Sequence, residues 1–239
     1  MDIGEIVSDS IRYPSSDWTK VIILGILFII SFLIIPIFLA LGYIFKVLKA
    51  SLAGLEELPE FNEWIDMLVD GIKVFVVYIV YFLPAILIMI FSVISIWYSI
   101  MSFAAMQTVG TMMSPELLFG MFGGTALAGI IISMIYMLVI TPVMAIAIAN
   151  MAYNDGEINA AFRFSEIFEL ISQIGWVDLI IWYIVLILIG VVVGVLTGIL
   201  GIIPVIGWII SILVVYPYIN IFYARSVAWL YASAFENSE

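Results

Sequence analysis

Long apolar runs alternate with short charged segments along this chain. Five runs of 25 to 30 residues stand out: Val21–Phe45, Val74–Phe103, Thr125–Ala149, Trp176–Gly201 and Trp208–Ala232. A helix of about 20 apolar residues crosses the ~30 Å hydrocarbon core of a bilayer. Each run is therefore predicted to be a membrane span, with kinks at Pro36, Pro84, Pro142 and Pro217.

Three shorter segments have apolar residues at helical spacing on one face and charges on the other. They are Asp2–Tyr13, Glu60–Lys73 and Glu157–Gln173. Such a pattern is typical of amphipathic helices that lie in the membrane interface. In the first, Asp2 is placed to cap the helix and Pro14 to end it. In the last, Phe164 and Phe168 are expected on the apolar face.

Composition supports lipid as the solvent. Hydrophobic residues make up 66% of the 239 residues and charged residues 10%, against about half and a quarter in soluble domains. No remaining polar stretch is long enough to bury a core of its own. The predicted fold class is therefore all-α, a polytopic membrane helix bundle that forms one integral membrane domain over residues 1–239.

The first run leaves two topologies open. At 1.5 Å per residue, Val21–Phe45 is long enough to cross the membrane once. It could instead re-enter at Pro36 as a shallow hairpin, which would place all seven basic residues on one face. Length is the stronger physical constraint, so we predict about five spans, with four plus a re-entrant hairpin as the alternative.

The distribution of basic residues predicts the orientation. The mixed segment Ala104–Gly124 is expected to be a loop on the far face. The segments Lys46–Lys73 and Asn154–Gly175 then share a face with the C-terminus, and the positive-inside rule makes that face cytoplasmic. The expected location is therefore the cell membrane, multi-pass, with a cytoplasmic C-terminus.

Two residue types that often carry catalysis are absent. The chain has no cysteine and no histidine, so thiolate and imidazole ligands, thiol nucleophiles and the usual neutral-pH base are excluded. No nucleotide-binding or metalloprotease motif occurs. The net charge of −11, without a basic cluster, argues against nucleic acid as a partner. We expect no enzyme activity, no cofactor and no metal, with membrane lipids, a membrane protein or a second copy of the chain as partners.

The acidic run between Glu56 and Asp70 raises the question of cation binding. A calcium loop needs carboxylates at fixed short spacing around a turn glycine, and that pattern is missing. Glu63, Asp66 and Asp70 fit the solvated face of the second amphipathic helix. Asp178, near the start of the fourth span, has Arg163 and Arg225 as candidate partners, although a helix-end charge that reaches the interface is the favoured interpretation.

A ladder of glycines lies on the fourth span. Gly190, Gly194 and Gly198 recur every four residues, and Gly201 follows. Small residues at this spacing, a glycine zipper, let a neighbouring helix approach closely. Packing within the bundle is the favoured interpretation, because the chain must first pack its own helices; a homodimer seam is the alternative.

A serine stripe lies on the second span at spacings of three, four and three residues: Ser92, Ser95, Ser99 and Ser102. Hydroxyls on one face could line a polar path for a solute. Serines are also small packing residues that bond to their own backbone. No charged residue joins the stripe, so packing is favoured.

Several ordered segments resemble an uncharacterised prokaryotic family, frequent in archaea, known as domain of unknown function 4013. They are Tyr13–Trp18, Gly42–Lys49, Leu58–Trp64, Asp70–Lys73 and Ala160–Ile167. The resemblance implies a multi-span membrane protein and, for an archaeal source, a membrane of ether lipids. It implies no substrate and no site residue.

Two functional hypotheses remain. The favoured one is a non-enzymatic membrane module that organises partners or lipids, because the spans hold almost no ionisable residue. The alternative is a small transporter or channel, with the serine stripe of the second span as its polar path.

Overall fold

The computed structural model describes residues 2–107, 120 and 124–236. Every secondary-structure element in these ranges is helical, which confirms the all-α class. The α-helices are α1 Ile3–Arg12, α2 Trp18–Ile29, α3 Ile35–Leu52, α4 Trp64–Gln107, α5 Thr125–Tyr153, α6 Phe164–Ile174, α7 Trp176–Leu200, α8 Ile206–Ile210 and α9 Tyr216–Glu236.

Five helical segments in the described part of the chain are long and apolar enough to cross a membrane, in agreement with the expected number. They are Ile35–Leu52, Trp64–Met101, Ala126–Tyr153, Trp176–Leu200 and Ile206–Phe235. The chain divides into two compact units, which are described separately. Unit 1 comprises the described residues up to Val77 and from Pro142 onward, and unit 2 comprises those of Tyr78–Thr141.

The N-terminal helix of unit 1 begins and ends where the sequence indicates. The Asp2 carboxylate accepts hydrogen bonds from the backbone N–H groups of Gly4 (2.7 Å) and Glu5 (3.4 Å), which caps the first turn of α1. Pro14 lies in the 3₁₀ turn Tyr13–Ser16 that follows. Ile6 and Ser10 are buried, so the apolar face of α1 packs against protein, and its neighbour is α9.

The expectation of one continuous helix over Val21–Phe45 is wrong. The helix breaks after Ile29 into the 3₁₀ turn Ile30–Leu33, and Ile34 then adopts a positive φ of 68°. With its ψ of −56°, Ile34 has the conformation of a classic γ-turn, which a β-branched residue rarely adopts because its side chain crowds the backbone. Pro36 does mark an interruption of the helix, as predicted. It lies in the first turn of α3, where a backbone N–H would have no partner within the helix, so its absence costs nothing.

The two helices around this break form an antiparallel hairpin. Lys20, near the start of α2, donates from Nζ to the Leu58 carbonyl at 2.7 Å. Tyr43, in the middle of α3, donates its hydroxyl to the neighbouring Pro59 carbonyl at 3.0 Å. Because both arms return to the same loop, α3 runs back along α2 rather than continuing its direction.

The second amphipathic segment starts later than expected. Helix α4 begins at Trp64, not at Glu60, because Glu63 adopts a positive φ of 54°. The preceding residues instead fold onto α3, where the ring of Phe61 stacks on that of Tyr43 at 3.7 Å between centroids. The helix then continues through Pro84 to Gln107 without interruption.

The prediction of a far-side loop over Ala104–Gly124 is therefore wrong for its first four residues, since residues 104–107 are helical. Apolar residues and good helix formers continue the pattern of α4 through this stretch, and no glycine or proline ends it. Most of the remaining loop, residues 108–119 and 121–123, lies outside the described residues.

Glycines bring α3 and α4 into close contact in unit 1. A Cβ added to Gly42 would lie 1.7 Å from the Met67 carbonyl oxygen, and one added to Gly71 would lie 1.8 Å from that of Phe38. Any side chain would force the two backbones apart. The edge of the Phe75 ring meets Phe38 beside this crossing, at 5.3 Å between centroids.

The third amphipathic segment is divided. A 3₁₀ turn covers Ile158–Phe162, and helix α6 starts at Phe164. Ile167 and Ile171 are fully buried, as the pattern indicates. The sequence pattern places Phe164 and Phe168 on this apolar face too, but both side chains are exposed. The true helix rotates them outward, because its buried stripe follows Ile167, Ile171 and Ile174.

The predicted fourth span corresponds to α7, and the predicted fifth span to α8, a π turn at Ser211–Val215 and α9. Pro217 lies in the first turn of α9, directly after the π turn. The two hairpin arms meet through Trp182, whose indole N–H donates to Ser226 Oγ at 2.8 Å in the core. The Gly207 backbone packs against the Leu200 carbonyl where the hairpin closes.

The core of unit 1 is formed mainly where α3 and α9 lie side by side. Its largest fully buried side chains are Trp182, Tyr43, Tyr231, Phe45 and Phe222. Buried tyrosines need partners for their hydroxyls. Tyr231 donates to Asn150 Oδ1 at 2.8 Å, and the Asn150 amide donates to the Ala160 carbonyl at 3.1 Å, which ties α9 to α5 and to the turn before α6.

Unit 2 is an antiparallel pair formed by the described residues of α4 and α5 that belong to it. Tyr136 donates its hydroxyl to the Tyr81 carbonyl at 3.0 Å, and Ser133 donates to the Ala85 carbonyl at 3.3 Å. Farther along, a Cβ on Gly129 would lie 1.8 Å from Ser92 Oγ. Residue number rises on one helix as it falls on the other, and small residues set the close approach.

Candidate functional site

Charged side chains form two clusters at one end of unit 1. We call the first the arginine clasp, formed by Arg225, Asp9, Trp229, Tyr13 and the Leu55 carbonyl. We call the second the lysine cavity, which is lined by Gly42, Lys46, Lys49, Glu63, Asp66, Met67, Val69, Asp70, Lys73 and Asp155.

Arg225 is the buried charge at the centre of the arginine clasp. Its side chain is 4% exposed, although it lies in the last candidate span. Nε donates to Asp9 Oδ2 at 2.7 Å, and Nη1 donates to the Leu55 carbonyl at 2.8 Å. The guanidinium also lies over the ring of Tyr13, 4.4 Å from its centroid. The geometry therefore gives this cation both a counter-ion and an aromatic face.

Asp9 links α1 to α9 through one oxygen. Its Oδ2 accepts from Arg225 and also from the Trp229 indole N–H at 2.7 Å. Burial raises the pKa of Asp9, but these two hydrogen bonds and the charge of Arg225 outweigh that effect, so the pKa lies below its ordinary value of 3.8. The carboxylate is thus ionised at neutral pH and holds α1 against α9.

Sequence reasoning missed this pair. Arg225 is a candidate partner of Asp178 in the sequence, but in the structure it binds Asp9, 216 positions away. The other candidate partner, Arg163, pairs with Glu157 at 3.2 Å and Glu166 at 3.5 Å. Asp178 lies in the first turn of α7 beside Gly175, where a carboxylate interacts favourably with the helix dipole.

The lysine cavity has a volume of about 380 Å³. Asp70 is its central carboxylate, since Lys49 lies 2.9 Å from one oxygen and Lys73 lies 3.0 Å from the other. Lys46 pairs with Glu63 at 3.1 Å and also donates to Asn62. Three ammonium groups and four carboxylates thus nearly neutralise each other within the cavity.

These pairings define what the cavity can do chemically. Each lysine already has a carboxylate of this chain as its partner, so an external anion would have to displace it. No group of three or more acidic side chains with the geometry of a metal site occurs among the described residues. Three residues of the acidic run line the cavity: Glu63, Asp66 and Asp70. Lysine side chains line the same cavity.

Lys20 joins the α2–α3 hairpin to the same polar end. Its ammonium group lies 2.8 Å from Glu60 and 3.4 Å from Asp17, in addition to its bond with the Leu58 carbonyl. The side chain is only 11% exposed. The loop between α3 and α4 is therefore fastened by Lys20 on one side and by Arg225, through Leu55, on the other.

The glycine ladder lies mostly on an open face of α7. Apart from the backbone of α7 itself, no atom lies within 4 Å of a Cβ added to Gly194 or Gly198. Gly190 faces the hydroxyl of Tyr223, and the nearest atoms to Gly201 are carbonyls of its own helix. The choice between packing within the chain and a homodimer seam stays a prediction.

The serine stripe falls on α4 within unit 2. Ser92 is buried against Gly129 and donates to the Ile88 carbonyl of its own helix at 2.8 Å. Ser99 donates to the Ser95 carbonyl, also within its helix, at 2.9 Å. The side chain of Ser102 lies outside the described residues. The stripe as a solute path stays a prediction.

Comparison with known proteins gives one match. The profile of the family described as a protein of unknown function, domain of unknown function 4013, matches residues 23–202. That range contains the hairpin break and the whole lysine cavity, but not Asp9 or Arg225 of the arginine clasp. Neither the curated proteins nor the solved structures gave a match. Since the profile covers more than half of the sequence, the chain belongs to the family of domain of unknown function 4013.

Proposed function

We propose that this chain is a non-enzymatic integral membrane module that presents one charged end to the cytoplasm and organises partners or lipids there. A single observation carries the proposal: six of the seven basic side chains are in ion pairs with carboxylates of the same chain. The six are Lys20, Lys46, Lys49, Lys73, Arg163 and Arg225.

This pattern favours a structural role for the polar residues. Enzymes and transporters keep charged groups available for a substrate, often with strongly shifted pKa values. Here the charges are used to fasten α1, the loop around Leu58 and the ends of the long helices to one another. The absence of histidine and cysteine from the sequence points the same way.

The orientation follows from the same charges. In unit 1 the α1 segment, the loop between α3 and α4, the turn at Asp155 and the middle of α9 come together at the polar end. All seven basic residues belong to these segments or their neighbours. The positive-inside rule therefore supports a cytoplasmic location for this end, with the N-terminal helix on the same side.

Transport through unit 2 is the alternative function. It needs serine hydroxyls that are free to replace the hydration of a solute. The hydroxyls of Ser92 and Ser99 donate to carbonyls of their own helix, and Ser92 packs against Gly129. Such bonds are typical of serine as a small packing residue in a membrane helix, which makes us prefer the first proposal.

Reconstitution into liposomes tests the choice between these functions. The purified protein would be inserted into vesicles that contain an entrapped anionic dye or a potassium gradient, with protein-free vesicles as the control. We expect leakage no faster than in the control. Solute flux that saturates with concentration, and that falls in a Ser95→Leu and Ser99→Leu variant, would establish the transporter instead.

The orientation has its own test. A fluorescent protein fused after α9 folds and fluoresces in the cytoplasm, whereas an alkaline phosphatase fused at the same point is active only outside. We expect fluorescence from the first fusion and no activity from the second. The reverse result would overturn the proposed orientation.

A further inference from the structure

Two turns of unit 1 share an unusual set of properties. One is the break of the first hairpin at Ile30–Ile34, and the other is the link between α7 and α8 at Gly201–Gly207. Neither lies near a charge along the chain: residues 21–45 and 179–224 contain no Asp, Glu, Lys or Arg. Both turns lie at the ends of helical hairpins whose charged residues are elsewhere.

The two turns lie at the same end of unit 1. Helix α2 packs against the segment that begins at α8, where a Cβ on Gly25 would be 2.3 Å from the Leu213 carbonyl oxygen. The ring of Trp18 lies 5.8 Å from that of Tyr218. Residue number rises along α2 as it falls along this partner, so the two run antiparallel. The end of α2 and the start of α8 therefore lie together.

The side chains of both turns are apolar and uncovered. Phe32 is 78% exposed and Ile202 is 77% exposed. Other exposed residues of the two turns and their flanks are Leu33, Ile34, Ile35, Val205, Ile206 and Trp208. A water-exposed connection normally contains polar residues, whereas these two present a large apolar surface.

The backbone of both turns is bonded internally. The N–H groups of Ile34 and Ile37 donate to the carbonyls of Ser31 (3.0 Å) and Ile34 (3.2 Å). In the second turn, Ile202 and Ile203 donate to Ile199 (3.1 Å) and Leu200 (2.9 Å). The Ser31 hydroxyl also donates to its own helix, and Pro36 and Pro204 have no N–H to satisfy.

Internal bonding is what a hydrocarbon environment demands. An unpaired backbone group costs several kcal/mol in the bilayer core, whereas in water it is hydrated at no such cost. A turn with few free donors, no charge and exposed apolar side chains is therefore compatible with lipid acyl chains as its surroundings. The opposite end of the hairpins is charged instead, because its loop contains Glu56, Glu57 and Glu60.

We infer that Ile30–Ile34 and Gly201–Gly207 form one lipid-embedded end of unit 1, covered by the acyl chains of the bilayer. Both hairpins enter from the polar end and return to it, and their uncharged, internally bonded turns stay among the acyl chains, short of the far aqueous phase. Because the 25 residues of α7 measure roughly 37 Å against a hydrocarbon core of ~30 Å, this depth requires that α7 be tilted in the membrane. The inference rests on the proposed location in the membrane, and it adds that this unit inserts without a water-exposed connection at its apolar end.

Single cysteines test the inference, since the chain has none of its own. Phe32→Cys and Ile202→Cys report on the two turns, which are matched in exposure. Ser8→Cys and Glu57→Cys report on the polar end, and the unmodified chain gives the background. Each variant is treated with a membrane-impermeant maleimide in right-side-out and in inverted vesicles, and again after detergent is added.

The expected result is that the polar-end cysteines react from one side only, while the turn cysteines stay at background from both sides until detergent is added. A bimane dye on the turn cysteines should be quenched strongly by lipids with a nitroxide in the acyl chain, and one on Ser8→Cys weakly. Reaction of a turn cysteine from the side opposite Ser8→Cys would overturn the inference, because that turn would reach water.

Failure of the proposed function has a different signature. A chain bound to the membrane surface would react at all four positions in the same one of the two vesicle preparations, without lipid quenching at any of them. A chain with its polar end outside would reverse the side on which Ser8→Cys and Glu57→Cys react, while the turn cysteines stayed unreactive. Each result thus identifies which of the two statements is wrong.

Discussion

Arg225 donates a 2.7 Å hydrogen bond to Asp9, a contact between residues 216 positions apart that holds the N-terminal helix against the last one. The cation is buried and the carboxylate is part-exposed. Removal of the carboxylate therefore leaves a buried guanidinium with fewer partners, which is a costly arrangement in an apolar environment. This pair is the first place where the stability of unit 1 can be tested.

We expect Asp9→Asn to lower the stability of the fold by about 1–2 kcal/mol, because hydrogen bonds to charged groups contribute roughly 1.5–3 kcal/mol and the exposed side of Asp9 is screened by solvent. The melting temperature of the detergent-solubilised protein measures the effect. Glu5→Gln, on an exposed position of the same helix, is the matched control and should change little.

A double-mutant cycle with Arg225→Met separates the pair from other contacts. If Asp9 and Arg225 stabilise each other, the double variant should lose less stability than the sum of the two single losses. Strict additivity of the two losses would mean that the pair is not coupled, and that the arginine acts only through Leu55 and the aromatic rings.

The same pair should make stability depend on pH in the acid range. The pKa of Asp9 in the folded protein lies below its ordinary value of 3.8. Its contribution is therefore complete above about pH 4 and is lost as pH falls through the folded-state pKa. The difference in melting temperature between the wild-type protein and Asp9→Asn should be constant near neutral pH and shrink below pH 4. A difference that persists unchanged at the lowest pH would contradict this account.

The close contact between α3 and α4 predicts that substitutions of the glycines at their crossing destabilise the protein. A Cβ at Gly42 would overlap the Met67 carbonyl oxygen, and one at Gly71 would overlap that of Phe38. Gly42→Ala and Gly71→Ala should each lower stability by about 1–3 kcal/mol, the usual effect of overpacking a core. The same melting measurement detects it.

Gly194→Ala is the matched control for these changes. It adds the same methyl group to a glycine in a helix, at a position with no atom within 4 Å apart from the backbone of α7 itself. Helix propensity alone then favours alanine, by about 0.5–1 kcal/mol in soluble helices. A loss of stability at Gly194 equal to that at Gly42 would mean that the methyl group acts through something other than the α3–α4 crossing.

Local patterns in the sequence were sufficient for the fold class and for most helices, because apolar periodicity and length are properties of neighbouring residues. The cap at Asp2 and the stop at Pro14 were also predictable, since both act within one turn. The break at Ile34 was displaced from the expected kink at Pro36, because the bend resides in a residue whose type gives no turn signal.

The polar end was much less predictable. The Asp9–Arg225 pair and the Lys20–Leu58 bond join segments that are far apart in the chain, and nothing in the local sequence specifies which carboxylate meets which cation. The close contact between Gly42 and Met67 is likewise not specified by the local sequence. These contacts depend on the way the hairpins pack, which is decided by the whole core.

A final prediction concerns the strain in the two apolar turns. Ile34 and Val205 are both β-branched, and they adopt nearly the same backbone conformation, with φ of 68° and 66° and ψ of −56° and −58°, which is that of a classic γ-turn. Each directly precedes a helix, and Val205 spans a tight turn in which Ile206 N–H donates to the Pro204 carbonyl at 2.7 Å. Such a sparsely populated conformation costs a residue with a side chain about 1–3 kcal/mol and costs glycine less, because glycine has no Cβ.

Val205→Gly should therefore raise the melting temperature, by an amount that corresponds to about 1 kcal/mol, even though it removes an apolar side chain. Val195→Gly removes the same side chain from an exposed position inside α7, where glycine weakens the helix, and should lower it. Since both valines are exposed to a similar degree, the loss of side-chain contact is similar in each. The difference between the two variants is then the strain released at Val205 plus the helix propensity lost at Val195, which is roughly 1 kcal/mol. Equal destabilisation by both substitutions would show that the backbone of Val205 is not strained.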